Sequence, residues 1–148
     1  MAIDEAIISS CSTGEPDCLL SDSKVKRILS QNRSARALSY ERGENVFKEG
    51  KPIVGFYIIC EGVVREVSSI SLGNQITLNI YKAGDVLISD AFFLDEDRYK
   101  TRAQALTGVE VLFLERSIFP ELMKSAGEKI GMKLAKNVRY LRKNLEFS

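Results

Sequence analysis

The stretch Gly43-Glu44-Asn45-Val46-Phe47-Lys48-Glu49-Gly50, followed by Phe56-Tyr57-Ile58-Ile59-Cys60-Glu61-Gly62-Val63-Val64, decides the fold. Gly-Glu-x-x-Phe-x-x-Gly reads as a turn, a short strand and another turn. Tyr-Ile-Ile-x-x-Gly-x-Val reads as a strand, a tight corner and a second strand. Glycine is required where the backbone turns with φ > 0 or packs close to a neighbouring strand. A third unit of this kind ends at Lys82-Ala83-Gly84-Asp85-Val86.

Outward from this core the period stays that of strands. Ile76, Leu78 and Ile80 alternate with Thr77, Asn79 and Tyr81, and Val109, Val111 and Phe113 alternate with Glu110 and Leu112. These are half-buried strands. Turn signals separate them at Glu41-Arg42-Gly43, Leu72-Gly73-Asn74, Ala83-Gly84-Asp85 and Thr107-Gly108. Short strands at this spacing across 35–115 predict an all-β sandwich or roll. On the N-terminal side, Val25, Ile28 and Leu29 recur at helical spacing behind a Ser21-Asp22-Ser23 cap, and this short helix is expected to end near Asn32. On the C-terminal side, Ser117 is expected to cap a helix through Phe119, Leu122 and Met123, with Pro120 in its first turn. Gly127 is expected to interrupt it. Ile130, Leu134, Val138, Leu141 and Leu145 then form an apolar stripe on a long last helix. Such a stripe packs either on its own barrel or on a second copy as a two-stranded coiled coil.

Composition bounds the function. The chain has 148 residues, 45% apolar and 28% charged, with a net charge of +1, so no whole-chain field draws it to nucleic acid or membrane. No apolar run approaches the length of a membrane helix, and the acidic N-terminus lacks the basic region of a signal peptide. The expected location is cytoplasmic. There is no histidine, which removes the usual general base and the usual metal and haem ligand. The three cysteines are too few for a disulfide framework. Cys60 is expected to be a buried strand residue. Cys11 and Cys18, on a polar arm, are expected to be accessible thiols, with a redox pair between them left open.

The glycine-punctuated run resembles the β-roll of the cyclic-nucleotide-binding domain, as found in the Crp/Fnr family of bacterial regulators, and the resemblance covers residues 24–147. It implies a mainly β fold: a double-stranded, jelly-roll-like β-roll with a short N-terminal helix and a long C-terminal dimerisation helix. The division expected is an arm over 1–22, the roll with flanking helices over 23–125 and the dimer helix over 126–148. The implied function is effector sensing and dimerisation for a transcription regulator whose DNA-binding domain is absent from this chain. Partners are then a second copy of the chain, a small-molecule effector, and DNA only through that other domain, with no membrane and no catalysis. A stand-alone regulatory domain docking on another protein is the alternative. A cupin-like barrel enzyme is set aside because it holds its metal with histidines.

The resemblance places a phosphate-binding cassette between the sixth and seventh strands. In the family it reads Gly-Glu, a short helix, a loop, then Arg-Ser/Thr-Ala. Backbone N–H groups and the Arg hold the cyclic phosphate, and the Glu takes a ribose hydroxyl. Here the opening Gly84-Asp85 fits, Ile88-Ser89 stands for Gly-Glu (or Ser89-Asp90 if the register slips by one), and Tyr99-Lys100-Thr101 stands for Arg-Ser-Ala on the simplest register, with Arg98 and Arg102 flanking it. Asp90, Asp95, Glu96 and Asp97 add negative charge at the mouth, which opposes a phosphate. The residues therefore speak against a cyclic nucleotide and leave the cofactor unassigned. An iron–sulfur cluster lacks a fourth thiolate, and haem lacks its histidine. What could still bind there is a modest, mostly apolar ligand with one acidic group; the alternative is a cassette that is only a structural strand–helix–strand link with no small ligand. Leu87, Ser89, Asp90 and Ala91 would line it, with Phe92 and Leu78 as further apolar wall, Lys100, Thr101 and Arg102 would anchor it, and Tyr140 or Asn137 on the last helix would close it. Ile130, Leu134, Val138, Leu141 and Leu145 are the expected dimer interface.

Overall fold

The computed structural model describes residues 23–31, 35–69, 73–89, 92, 96–128 and 130–132. The arm with Cys11 and Cys18, the loop residues Asp90 and Ala91, and Leu134, Val138, Tyr140, Leu141 and Leu145 lie outside the described residues.

Helix α1 (Ser23–Gln31) buries Val25 and Leu29. It ends within a residue of the expected place. Among the described residues eight strands follow: β1 (Arg36–Tyr40), β2 (Asn45–Phe47), β3 (Gly55–Glu61), β4 (Val63–Ser69), β5 (Gln75–Lys82), β6 (Val86–Leu87), β7 (Arg102–Ala105) and β8 (Val109–Glu115). They form two four-stranded sheets, β1-β8-β3-β6 and β2-β7-β4-β5. Every strand pairing is antiparallel. The fold is mainly β with few short helices, as the turn spacing predicts.

Strand β3, inside the first sheet, is buried on both faces. One face of β3, with Tyr57, looks toward the second sheet, where Phe47 lies stacked at 6.3 Å. The other face, with Phe56, looks toward the C-terminal helical segment, where Phe119 meets it edge-on at 5.5 Å. A strand covered on both sides reads as a continuous apolar run, which is why Phe56 to Cys60 shows no alternation.

The corner between β3 and β4 carries Gly62 at φ +94. A Cβ there would collide with the Gly108 carbonyl and come within 2.9 Å of Val109. The glycine is therefore demanded twice, by conformation and by the close β8 entry.

Two C-terminal expectations are corrected. The chain enters its helix through a 3₁₀ turn, Arg116–Ile118, so Ser117 lies inside that turn and does not cap the helix. Helix α2 then runs over residues 119–128 and is still helical at 130–132, so Gly127 does not interrupt it. A helical glycine costs only about 1 kcal/mol. Leu122, Ala126 and Ile130, all buried on the core side of this helix, outweigh that cost. Ile130, the first residue of the expected dimer stripe, packs into the domain's own core.

Strand β5 also differs from its pattern. Its alternation suggests Ile76, Leu78 and Ile80 as the buried set. Instead Asn79 and Tyr81 are buried, while Ile76 and Ile80 are more than a third exposed. The ladder between β4 and β5 shifts register at Glu66/Val67, and a bulge of this kind redirects the residues beyond it.

Candidate effector site

The cassette begins at a tight turn. Gly84 has φ +93. The Asp85 carboxylate accepts a 2.9 Å hydrogen bond from the Lys82 backbone N–H. Asp85 O and the Gly84 N–H bond both backbone groups of Ile59. The turn is thereby pinned to β3, and β6 follows, pairing Leu87 with Tyr57 and Val86 with Ile58. Leu87, Ile88 and Ser89 are all buried beyond it.

Across the second sheet, register aligns Phe47 with Ala103, Ala103 with Glu66, and Glu66 with Asn79. This row crosses the inner face. Glu66 is only 7% exposed, so its carboxylate needs partners. It accepts hydrogen bonds from the Tyr81 hydroxyl at 2.9 Å and the Thr101 hydroxyl at 2.6 Å. Asn79 uses its Oδ1 on the Ile80 N–H, while its buried Nδ2 has no partner. Thr101, an expected anchor, is thus brought to the inner face beside a carboxylate.

Lys100 and Arg102 flank it and go elsewhere. Successive strand side chains point to opposite faces. Lys100 is exposed, and its Nζ lies 2.8 Å from Glu96. Arg102 shares the outer face with Gln104, which is gripped by the Arg65 guanidinium at 2.8 and 3.0 Å. The structure therefore brings Leu87, Ser89 and Thr101 to the interior and does not bring Lys100 and Arg102 to Thr101.

Tyr99, where the family pattern would place a phosphate-binding Arg, is a core residue. Its ring stacks on Phe47 at 3.9 Å and 7°. Burial pushes its hydroxyl up to about 12, although a hydrogen bond with Tyr57 acts the other way. The Tyr57 hydroxyl is raised too, first by burial and then by its neighbour Tyr99. Tyr40 is raised for the same leading reason. All three stay neutral at physiological pH and serve as packing and hydrogen-bonding groups.

Phe92, in the middle of the cassette, meets the helical segment. Its ring lies edge-on to Phe119 at 5.1 Å and to Phe56 at 5.9 Å. Arg116 donates from Nη2 to the Phe92 carbonyl at 2.7 Å, and its guanidinium sits 4.6 Å from the Phe92 ring centroid. Sequence reasoning missed Glu66, Arg116 and Phe119. Glu66 sits in a β-branched run, and its Thr101 partner is 35 residues away. Arg116 reads only as the boundary between strand and helix.

The fold is shared with solved structures of bacterial regulators. The chain resembles the c-di-GMP responsive global regulator CLP of Xanthomonas campestris with a TM-score of 0.66 and 16% identity, over 74% of this chain and 56% of that one. It resembles the sensor domain of the transcriptional regulator DNR from Pseudomonas aeruginosa with a TM-score of 0.62 and 19% identity, over 83% of this chain and 80% of that one. The catabolite activator protein of Thermus thermophilus gives a TM-score of 0.66 and 21% identity, over 93% of this chain and 62% of that one. The chain thus spans less than two thirds of the length of CLP and of the catabolite activator protein. Among curated proteins no relative matches. The family model described as the cyclic nucleotide-binding domain matches residues 37–126, more than half of the 148. By that match, on a fold whose solved neighbours are Crp/Fnr regulators, the chain belongs to the cyclic nucleotide-binding domain family.

Proposed function

We propose that this domain is the effector-sensing and dimerisation half of a Crp/Fnr-type transcription regulator. The effector lies between the cassette and the inner face of the second sheet, against Leu87, Ser89, Asp90, Ala91 and Thr101, with Tyr140 closing over it. The domain pairs with a second copy through Leu134, Val138, Leu141 and Leu145, the part of the stripe beyond the core-packed Ile130, and engages DNA through a separate domain.

The observation that carries this reading is the contact of Phe92 with Arg116 and Phe119. It joins the cassette to the start of α2 through a hydrogen bond and two ring contacts. A cassette displaced by a ligand then biases the helix between two positions, which is what a sensor requires. A cyclic nucleotide is disfavoured as that effector. Tyr99 is locked in an aromatic stack, Lys100 is paired outward, and the carboxylate beside Thr101 repels a phosphate.

Two measurements test this. In calorimetry, cyclic AMP should give no saturable heat, and a low-micromolar dissociation constant contradicts the assignment of the cassette. In sedimentation at micromolar protein, the chain should be a dimer and Leu134→Asp/Leu141→Asp a monomer, because the pair places charges in an apolar seam. A monomeric wild type contradicts the role given to the last helix.

A further inference from the structure

Arg102 stands on the outer face of the second sheet, away from the effector site, and that face has a composition of its own. The strand register fixes which side chains share it. Arg65 lies opposite Ile80 on one side and Gln104 on the other, Val63 opposite Lys82, and Ser68 opposite Ile76. Alternation along β5 adds Leu78, and alternation along β7 adds Arg102 and, just past the strand, Leu106. Leu78, expected as pocket wall, therefore faces outward.

Strand β5 is an edge of its sheet. Ile76 is 36% exposed and Ile80 38%. Leu78 between them and Val63 beside them are half-buried. Three apolar side chains thus line an open edge strand, where natural sheets usually place charge.

Two arginines stand beside this stripe. Arg65 donates from Nη2 and Nε to Gln104 Oε1 at 2.8 and 3.0 Å. That partner is a neutral amide, so it leaves the charge uncompensated. Arg102 is half-buried, and its Nε has no hydrogen-bond partner. Among the described residues neither guanidinium lies within ion-pair distance of a carboxylate. The nearby acids turn elsewhere: Glu44 accepts from the Glu41 N–H at 2.7 Å, and Glu49 from the Ser69 hydroxyl at 3.2 Å. Lys82 adds a third cation at the end of β5.

Arginine next to apolar surface is the composition of a protein interface core. A nucleic acid would use the cations but lay its phosphates against Ile76, Leu78 and Ile80. The dimensions suit a helix. From β5 across β4 to β7 is two strand spacings, about 10 Å, which is the diameter of one α-helix. The eight residues of β5 extend about 26 Å, the length of about 18 helical residues.

We propose that the outer face of the second sheet docks an acidic amphipathic helix of a partner protein. The apolar stripe of that helix lies on Ile76, Leu78 and Ile80, and carboxylates on its flank pair with Arg65 and Arg102. A helix laid on a sheet buries both apolar faces at once. The surface uses no residue that the proposed function gives to the effector or to pairing of two copies, so it stands apart from both.

Fluorescence anisotropy on the full chain tests this. The probe is a labelled synthetic helix of about 18 residues, with leucine at i, i+3, i+4 and i+7 spacing and glutamate on the flanking positions. Comparison probes carry lysine for every glutamate, or serine for every leucine, and a DNA duplex is the fourth. The glutamate–leucine helix should bind saturably, at least about tenfold more tightly than the other three, and more weakly as salt is added. Binding should weaken about tenfold or more in Arg65→Gln/Arg102→Gln and in Ile76→Thr/Ile80→Thr. Glutamine keeps an amide toward Gln104 and threonine keeps the β-branch, so both variants should hold the wild-type melting temperature. In wild type, amide NMR shifts on titration should concentrate in β4, β5 and β7. Absent binding, equal binding of any comparison probe, undiminished binding by either variant, or shifts concentrated outside those strands overturns the proposal.

Discussion

Glu66 illustrates what a single buried charge demands. Its two oxygens are met by Tyr81 and Thr101, one from the adjacent strand and one from the cassette exit. Hydrogen bonds to a carboxylate are about twice as strong as neutral ones, and losing one leaves a desolvated oxygen. Thr101→Val keeps the side-chain shape and removes the donor. It should lower unfolding stability by about 1–3 kcal/mol in urea denaturation. An unchanged midpoint means that Glu66 is compensated elsewhere and that the link between sheet and cassette is dispensable.

The tyrosines make a pH prediction at the same scale. An unfolded tyrosine ionises near 10, whereas Tyr99 in the fold holds its proton up to about 12 and Tyr57 is raised as well. Between those values the folded state keeps protons that the unfolded chain has lost. Stability is therefore fully present below pH 10 and falls as pH rises through the folded pKa. Melting temperature should stay level from pH 7 to about 9 and drop steeply above about 10. Tyr57→Phe removes one of these protons and should make the alkaline slope shallower. An equal slope in wild type and Tyr57→Phe contradicts the burial argument.

At the scale of elements, the turns were legible in the sequence and the faces were not. Positive φ falls at Gly43, Gly50, Gly62, Gly73 and Gly84, the glycines that punctuate the quoted stretch and the flanking turns. A local signal suffices there, because the constraint is one residue's own backbone. Gly62→Ala should cost about 1–3 kcal/mol or more, read from the shift in denaturation midpoint, since it adds both strain and a collision with the Gly108 carbonyl. Gly43→Ala, with open space around it, should cost less. Strand β5 misleads because Tyr81 buries a large ring inward and finds Glu66, while the bulge resets the pattern that alternation assumes. The site suffers the same limit. The cassette motif offers Lys100, Thr101 and Arg102 alike, because none of them can be assigned a face without knowing the strand register. The Glu66 contact joins residues far apart in sequence. The start of α2 was found within a few residues, yet its 3₁₀ entry depends on where Arg116 reaches, a tertiary fact.

At the scale of the whole molecule, the two sheets enclose an inner face that ends at the cassette, and the outer face of the first sheet meets α2. Phe92 belongs to both regions, touching Phe56 and Phe119 and held by Arg116. On the proposed sensing role, cassette and helix move as a coupled pair. Hydrogen exchange read by mass spectrometry on wild type and Phe92→Leu tests this most directly. The substitution trims the ring contacts at a cost of about 1–2 kcal/mol, small enough for the fold to persist. Faster exchange is predicted both in β6 with Ile88 and Ser89 and in residues 119–128, while β1 in the first sheet keeps its wild-type protection. Faster exchange confined to the cassette, with residues 119–128 unchanged, contradicts the account.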